Sequence, residues 1–582
     1  MWRVIIIVFR VLVMTSGMWY TTGSAFAQET AVSQTPKSAD SLSAKSLYDK
    51  GMHQKSAGQL ALAEKTFEQV IQLQPNHDGA YFQLAQLYID AENLVAAERA
   101  ALRAAELSPD NENYWNTILD VYRKTRNVKA IPVVLDELIR LNPKNASLYR
   151  EKAYALFVDK QYNAALAVCD TMSARFGATE DQHLTKHQIY LAQGNMDAAI
   201  NELEMLVSTA PNESKAYILL AELYTKADET KKAIALLDDA ADIFPDDPLV
   251  LLGKSDVYLA MEKQRQAYHY LQEAFSSDSL GIDAKAGLLY STLGNTRHPL
   301  DKVYVAELAD LFAQTYPNEA KAHAVRGDIY MQLQRPNEAR DAYLGALDIN
   351  RYIEGVWQQL LQVELQLGRY DDVESHGKEA LALFPNQPLI LFFTGHGYLG
   401  NKRYQEARTY LETALNQANG EHVPLLTQLY SSLGDVYNAM DMYAESDVAY
   451  EEAIALDSAN AYALNNYAYY LALRKEKLPL AAEMSKRSNE LAPDYPSYQD
   501  TYAWVLFQQG DYKTALSWIE KAIASSDTAS ETLLEHYGDI LAKLGHVSKA
   551  LTQWKKARTL SQAVGKDIDK LSQKIDAKQY ID

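Results

Sequence analysis

Proline recurs along this chain at a fixed pitch. Pro75, Pro109 and Pro143 stand 34 residues apart, as do Pro211 and Pro245, and Pro317, Pro385 and Pro493 continue the series. Between these marks the same alternation of small and large apolar residues returns. A period of 34 residues has room for two helices with their turns, and such a unit buries its apolar face only by stacking on copies of itself. For 582 residues, length alone would argue for about four globular domains. A stacked repeat grows one unit at a time around no common centre and overrides that estimate. The expected fold is all-α, an α-solenoid.

Residues 214–247 show the unit well. Tyr217, Leu220, Ala221 and Tyr224 lie on a first helix, Ala233, Leu237 and Ala240 on a second, and Pro245 closes the unit. Spacings of three and four put each set on one helical face. Ala221 and Ala233 are small because the two helices cross there. The same phase gives fifteen units: 44–77, 78–111, 112–145, 146–179, 180–213, 214–247, 248–281, 282–319, 320–353, 354–387, 388–421, 427–460, 461–495, 496–530 and 531–564. Eleven of the fifteen carry Gly, Ala or Ser at the first small position, and eleven carry Ala at the second, so the register is not chance. Leu119, His187, Leu289 and Leu361 fill small positions, and locally splayed joints are expected there.

These positions resemble the signature of the tetratricopeptide repeat family over nearly the whole chain after residue 43. The resemblance implies a superhelix whose first helices line a concave, protein-binding groove.

Proline usage supports the phase independently. Eight of seventeen prolines sit at closing turns, and Pro248, Pro388 and Pro496 open first helices, where a missing N–H costs nothing. Pro132 falls inside a second helix and is expected to kink it. Two insertions interrupt the period, one within Gly294 to Asp301 and a five-residue loop at 422–426. Insertions in repeat arrays map to loops, functional or merely tolerated. They divide the array into units one to seven (44–281), eight to eleven (282–421) and twelve to fifteen (427–564). Residues 565–582, with Ile568, Leu571 and Ile575 at helical spacing, suit a capping helix.

The first 27 residues run from a cationic start (Arg3) through an apolar stretch, Val4 to Met14, to Ala25-Phe26-Ala27, the plan of a secretory signal. An uncleaved anchor is the competing reading, but the stretch is interrupted by Arg10 and is short against the roughly 20 residues that span a bilayer. Residues 28–43 are polar and read as a flexible tether. No cysteine near the cleavage site could carry a lipid. Export to the periplasm, or to the periplasmic face of an outer membrane, is therefore expected. The net charge of −20 disfavours nucleic-acid partners and anionic lipid surfaces.

Little in the chain points to chemistry. His183 and His187 are four apart on a first helix, a spacing that can bind zinc, yet both fall at packing positions. Cys169, the only cysteine, falls on an apolar face. There is no Gly-rich phosphate loop and no nucleophile elbow, so neither catalysis, a cofactor nor a metal is expected. Many of the 39 tyrosines, including Tyr81, Tyr122, Tyr217, Tyr224 and Tyr258, occupy packing positions.

By the family resemblance, residues beside the packing positions on first helices line the groove. These are Tyr154 and Phe157 in unit four, Phe392 in eleven, Tyr462, Asn465 and Tyr469 in thirteen, and Asp500, Trp504 and Phe507 in fourteen. Aromatic rings beside amides and carboxylates are the mix of an anchoring hot spot. They also suit a bland role, filling the narrow inside of a superhelix. Asn465-Asn466-Tyr467-Ala468-Tyr469 and Asp500-Thr501-Tyr502-Ala503-Trp504 resemble the last repeats of exported bacterial tetratricopeptide proteins. That resemblance implies a Gram-negative envelope. The function expected is a non-catalytic scaffold holding protein partners of an envelope assembly; a carrier or chaperone for an exported polymer or unfolded client, or a docking regulator of an envelope hydrolase, are the alternatives.

Overall fold

The computed structural model describes residues 38–245, 247–418, 422–563 and 565–581. The expected signal at 1–27 and residues 28–37 of the expected tether lie outside them. Among the described residues there are 31 helices and no strand. In chain order they fall two to a unit, from Ser38–Ser56 and Leu60–Leu73 to Glu531–Lys543 and Val547–Ala563, followed by Asp569–Ala577. Contacts divide the chain into two compact bodies, one ending at Tyr304 and one beginning at Val305.

Helices of a pair cross where the phase places a small residue. In units one, nine, twelve and fifteen that residue is Gly51, Gly327, Gly434 or Gly538. A Cβ built there would lie 2.7, 2.4, 2.6 and 2.4 Å from the rings of Phe67, Tyr343, Tyr450 and Trp554, respectively. Carbon atoms do not approach that closely, so each ring occupies the space a side chain would take. All four rings are fully buried. Leu119, His187, Leu289 and Leu361 are buried as well. The backbones of Glu112–Thr125 and Ile131–Leu141, and of Glu354–Gln366 and Tyr370–Leu383, stand further apart than those of the glycine pairs, as splayed joints should.

The turn inside each unit obeys a rule of its own. In fourteen of the fifteen units one residue at the same register place is left-handed. Five of these are glycine, as at Gly194 and Gly368; the others carry side chains, such as Lys402 and Asp441. The next N–H then reaches the carbonyl five residues back, as Arg403 does to Tyr398 at 2.8 Å, closing the first helix with a Schellman-type bond. Unit eight alone departs, where residues 294–301 replace that turn. Gln264 holds the replacement from both sides, donating Nε2–H to the Pro299 carbonyl (3.0 Å) and accepting from the Asp301 N–H (2.9 Å). Tyr304 stacks on Tyr268 at 4.5 Å beside it. This insertion is a packed strap.

Three expectations need correction. The tether does not run to residue 43, because helix begins at Ser38; no proline or glycine intervenes before the buried Ala44 to stop it. Residues 422–426 are not a loop. They lengthen the first helix of unit twelve to Val423–Ala439, 17 residues, with Pro424 in its first turn. The His422 ring accepts the Leu425 N–H at 3.2 Å, and buried Leu425 extends the apolar stripe that continues at Leu429. Pro132 does not kink a helix either, since Ile131–Leu141 starts one residue before it and places it in the first turn. The closing prolines lie just past helix ends, and Pro248, Pro388 and Pro496 open theirs.

Polar contacts join first helices of successive units. Ser432 gives its hydroxyl proton to the Gln428 carbonyl (2.8 Å), so its oxygen accepts from His396 Nε2–H at 2.9 Å. Burial pushes His396 down to about 4, against a smaller upward pull from Asp435.

Two outcomes follow from this packing. Gly287→Ala, at an exposed helical site with no atom within 4 Å of the new carbon, should stabilise the protein by roughly 0.5–1 kcal/mol. Gly327→Ala should destabilise it by about 1–3 kcal/mol despite the same helix-propensity gain, because the Tyr343 ring must move. Denaturant titration of both variants checks the contrast, and equal effects would refute the crossing rule. The depressed His396 gives a pH signature: the unfolded chain takes up a proton below pH ~6.5 that the folded state refuses until about 4. Stability is therefore whole above that window and lost as pH falls through it, by about 2 kcal/mol at pH ~5. Hydrogen exchange of the Pro388–Gly400 amides reads this loss, and His396→Gln should flatten it.

Candidate partner-binding face of the first helices

The inner row of the second body is built by the first helices of units twelve to fifteen. Tyr469 in unit thirteen approaches His536 in unit fifteen, 6.4 Å between ring centres. Side chains two units apart meet only on the inward-curving side of a stack, which identifies these helices as its concave lining.

The row is anchored by carboxylates that the crossing rings hold in place. Tyr343 donates its hydroxyl to Asp328 at 2.9 Å, Tyr450 donates to Asp435, and the Trp554 indole N–H donates to Asp539 at 2.9 Å. In each case the ring packs over a glycine and its polar tip bonds the aspartate next to that glycine. Asp435 receives three further donors: the hydroxyls of Tyr462 and Tyr470, the latter at 2.9 Å, and the Asn466 amide at 3.2 Å. Burial and then the Asp435 charge raise the pKa of Tyr450, Tyr462 and Tyr470, so all three remain donors.

The nine candidate residues divide into exposed and buried sets. Tyr462 is 47% exposed although its hydroxyl is fixed on Asp435. Tyr469 is half-buried, its hydroxyl pushed up to about 12 by burial and then by Asp500 and Glu535. Asp500, half-buried, lies 2.9 Å from His536 Nδ1. Burial opposes a charge on that imidazole, but the carboxylates of Asp500, Asp539 and Glu535 together more than offset it and the His536 pKa is raised.

Trp504, Phe507 and Asn465 are not surface residues. Trp504 is only 7% exposed, stacked on His536 at 4.0 Å and on Phe507 at 4.8 Å, and Phe507 is covered in turn by Tyr512 and Tyr580. Asn465 is buried and donates to Asn466 at 3.0 Å. Phe392, half-buried, packs on Phe393 and His396 at 5.6 and 4.5 Å. In the first body, Tyr154 is 64% exposed and Phe157 packs on Tyr162 at 6.1 Å.

His183 pairs with Glu202 at 2.8 Å, and burial lowers the pKa of His187. Among the described residues no group of three or more ligating side chains could hold a metal. The Cys169 thiol is buried and pushed up to about 11, the state of an inert core sulfur. No described helix is long and apolar enough to cross a membrane.

Sequence reasoning missed Asp435, Asp539 and His536. A usable signal was present for the first two: Gly-Asp followed fifteen residues after the Asp by Tyr or Trp, in units nine, twelve and fifteen. His536 stands outside the groove positions carried over from the family and had no such mark.

Comparison with known proteins agrees with the geometry. Two models described as tetratricopeptide repeat match this chain, one at residues 55–118 and 190–257, the other at 320–352 and 427–460. The last two stretches coincide with units nine and twelve as phased. A Drosophila melanogaster protein named BBSome complex member BBS4 homolog is 25% identical over 180 residues, 29% of this chain and only 36% of that protein's own length. The Bacillus subtilis TPR repeat-containing protein YpiA is 24% identical over 339 residues, 57% of this chain and 69% of the relative. A crystal structure of a tetratricopeptide repeat protein from Parabacteroides merdae aligns with 44% of this chain and 98% of its own, at 15% identity and a TM-score of 0.36. With two helices in each of fifteen units, a small residue at most of the expected crossings and family matches in both bodies, this chain is a member of the tetratricopeptide repeat family.

Proposed function

We propose that this protein is a non-catalytic scaffold of a bacterial envelope assembly, exported under residues 1–27, that holds protein partners along its first helices. Tetratricopeptide arrays are protein-binding surfaces, and the fold is generally non-catalytic. The observation that carries the reading is the inner row of the second body. There Tyr462 and Tyr469 keep part of their rings accessible while Asp435 and Asp500 fix the polar groups beside them. Rigid, half-covered aromatic rings set among oriented carboxylates are what a binding hot spot requires. The Drosophila relative is by its name a member of a multiprotein complex, which favours an assembly role over a reaction.

Cross-linking in intact cells, followed by mass spectrometry, tests the scaffold: a defined stoichiometric set of envelope proteins is expected. Heterogeneous unfolded clients would overturn it in favour of a carrier. Tyr462→Ala with Tyr469→Ala should weaken the main partner by about 2 kcal/mol or more, at a stability cost near 1 kcal/mol for the lost hydroxyl bond. Trp504→Ala, by contrast, should cost about 3–5 kcal/mol of stability because the ring is core. The export half of the proposal predicts a purified protein that begins at Gln28 in the periplasmic fraction; an intact amino terminus in the inner membrane would refute cleavage.

A further inference from the structure

We propose that residues 569–581 occupy in cis a peptide-binding site on the first helices of units fourteen and fifteen, and that the partner bound there in trans presents a lysine followed six residues later by an aromatic ring. The proposal rests on the protein-binding reading above and gives the chemistry of one end of that surface.

Lys574, on helix Asp569–Ala577, is 2% exposed. Its Nζ lies 2.7 Å from Glu535 Oε1 and 2.7 Å from Asp539 Oδ2, both on Glu531–Lys543. Asp539 is 1% exposed and already fixed by Trp554. A helix that only covered the end of a stack would place aliphatic side chains here. Leu571 and Ile575 do that, in one cluster with Leu534, Leu541 and Trp554. Burying an ammonium is unfavourable unless its carboxylates stand ready to receive it. Glu535 and Asp539 therefore form a cation pocket within the row that lines the concave side.

The chain past this helix covers the rest of the site. Lys578 is left-handed, with φ 55°, and ends the helix. Tyr580 then meets Phe507 edge-on, 5.2 Å between ring centres, with Lys543 Nζ 4.4 Å from the Tyr580 ring centre. Phe507 stacks on Trp504 and Trp504 on His536, so the tyrosine covers one end of a three-ring stack. In the same ring stack the buried Trp504 indole N–H has no hydrogen-bond partner, a donor for the backbone carbonyl of an incoming peptide. One ammonium pocket, one ring stack and one unused donor make a peptide site. The cis segment fills the first two with Lys574 and Tyr580. It is held by those two side chains and by buried Leu571 and Ile575, and it follows a turn containing left-handed Gly565. A partner with the same spacing can displace it.

The probe is a labelled peptide with this chain's own residues 567–582, titrated by fluorescence anisotropy against the full chain and its Lys574→Gln/Tyr580→Ala variant. The variant should bind the peptide about tenfold or more tightly than the parent, because a covered site is competent only in the fraction of molecules where the cover is off. A peptide carrying the same two substitutions should not bind, and Glu535→Gln in the variant should weaken the native peptide. Equal binding of native and substituted peptides, or none of either, overturns the proposal.

If the variant loses helix by circular dichroism, hydrogen exchange on the parent chain gives the answer. Residues 569–581 should exchange faster than Val547–Ala563, and faster still with excess peptide. A common rate indifferent to peptide overturns the proposal equally. The scaffold reading is tested separately by the cross-linked set, so either can fail while the other stands.

Discussion

The close crossing of the two helices in most units is the constraint on which the rest of this structure depends. Where glycine stands at the crossing, a ring from the second helix lies directly over the first helix backbone, as Tyr343 does over Gly327 and Trp554 over Gly538. The same contact sets the polar architecture. A ring held that tightly has only one place for its hydroxyl or indole N–H, and in three units an aspartate is there to accept it. Apolar packing between paired helices thereby orients carboxylates on the row that faces inward. Core and binding face are two sides of one contact.

Those carboxylates are engaged within the chain, which bears on how anything binds. Asp435 holds three tyrosyl hydroxyls and an amide, and fully buried Glu364 holds Arg340 and His376. Taking away one member of such a cluster leaves a buried charge uncompensated, whereas the intact cluster adds little net stability. Their physical contribution is rigidity. A partner that competed for these oxygens would first have to break existing bonds, so its affinity must come from the accessible parts of rings such as Tyr462 and Tyr469. In this structure the acidic groups position the aromatic ones.

Much of the fold was legible because a 34-residue period repeats one packing problem many times. Small residues at the crossing, prolines past the second helix and aliphatic residues at spacings of three and four all reported the same register. The errors came where a signal had two physical meanings. Extra residues at 422–426 lengthened a helix because Pro424 is as suitable in a first turn as in a loop. Pro132 was misplaced for the same reason. The left-handed turn residue went unread because nine of its fourteen instances are not glycine, and a lone Lys402 or Asp441 carries no mark of its backbone angle.

The candidate face was legible in position but not in exposure, and the reason lies in curvature. Register tells which helix face a residue occupies, and Trp504, Phe507 and Asn465 do stand on the inward one. Whether that face is open depends on how sharply successive units turn, which no single unit encodes. Where Tyr469 can approach His536 two units away, rings on the intervening helix have no solvent left to face. Trp504 is consumed by His536 and Phe507, whereas Tyr154 in unit four keeps its surface. A large aromatic residue on a first helix therefore announces a contact surface only where the lining is wide enough to leave it uncovered, and local curvature decides which residues a partner can touch.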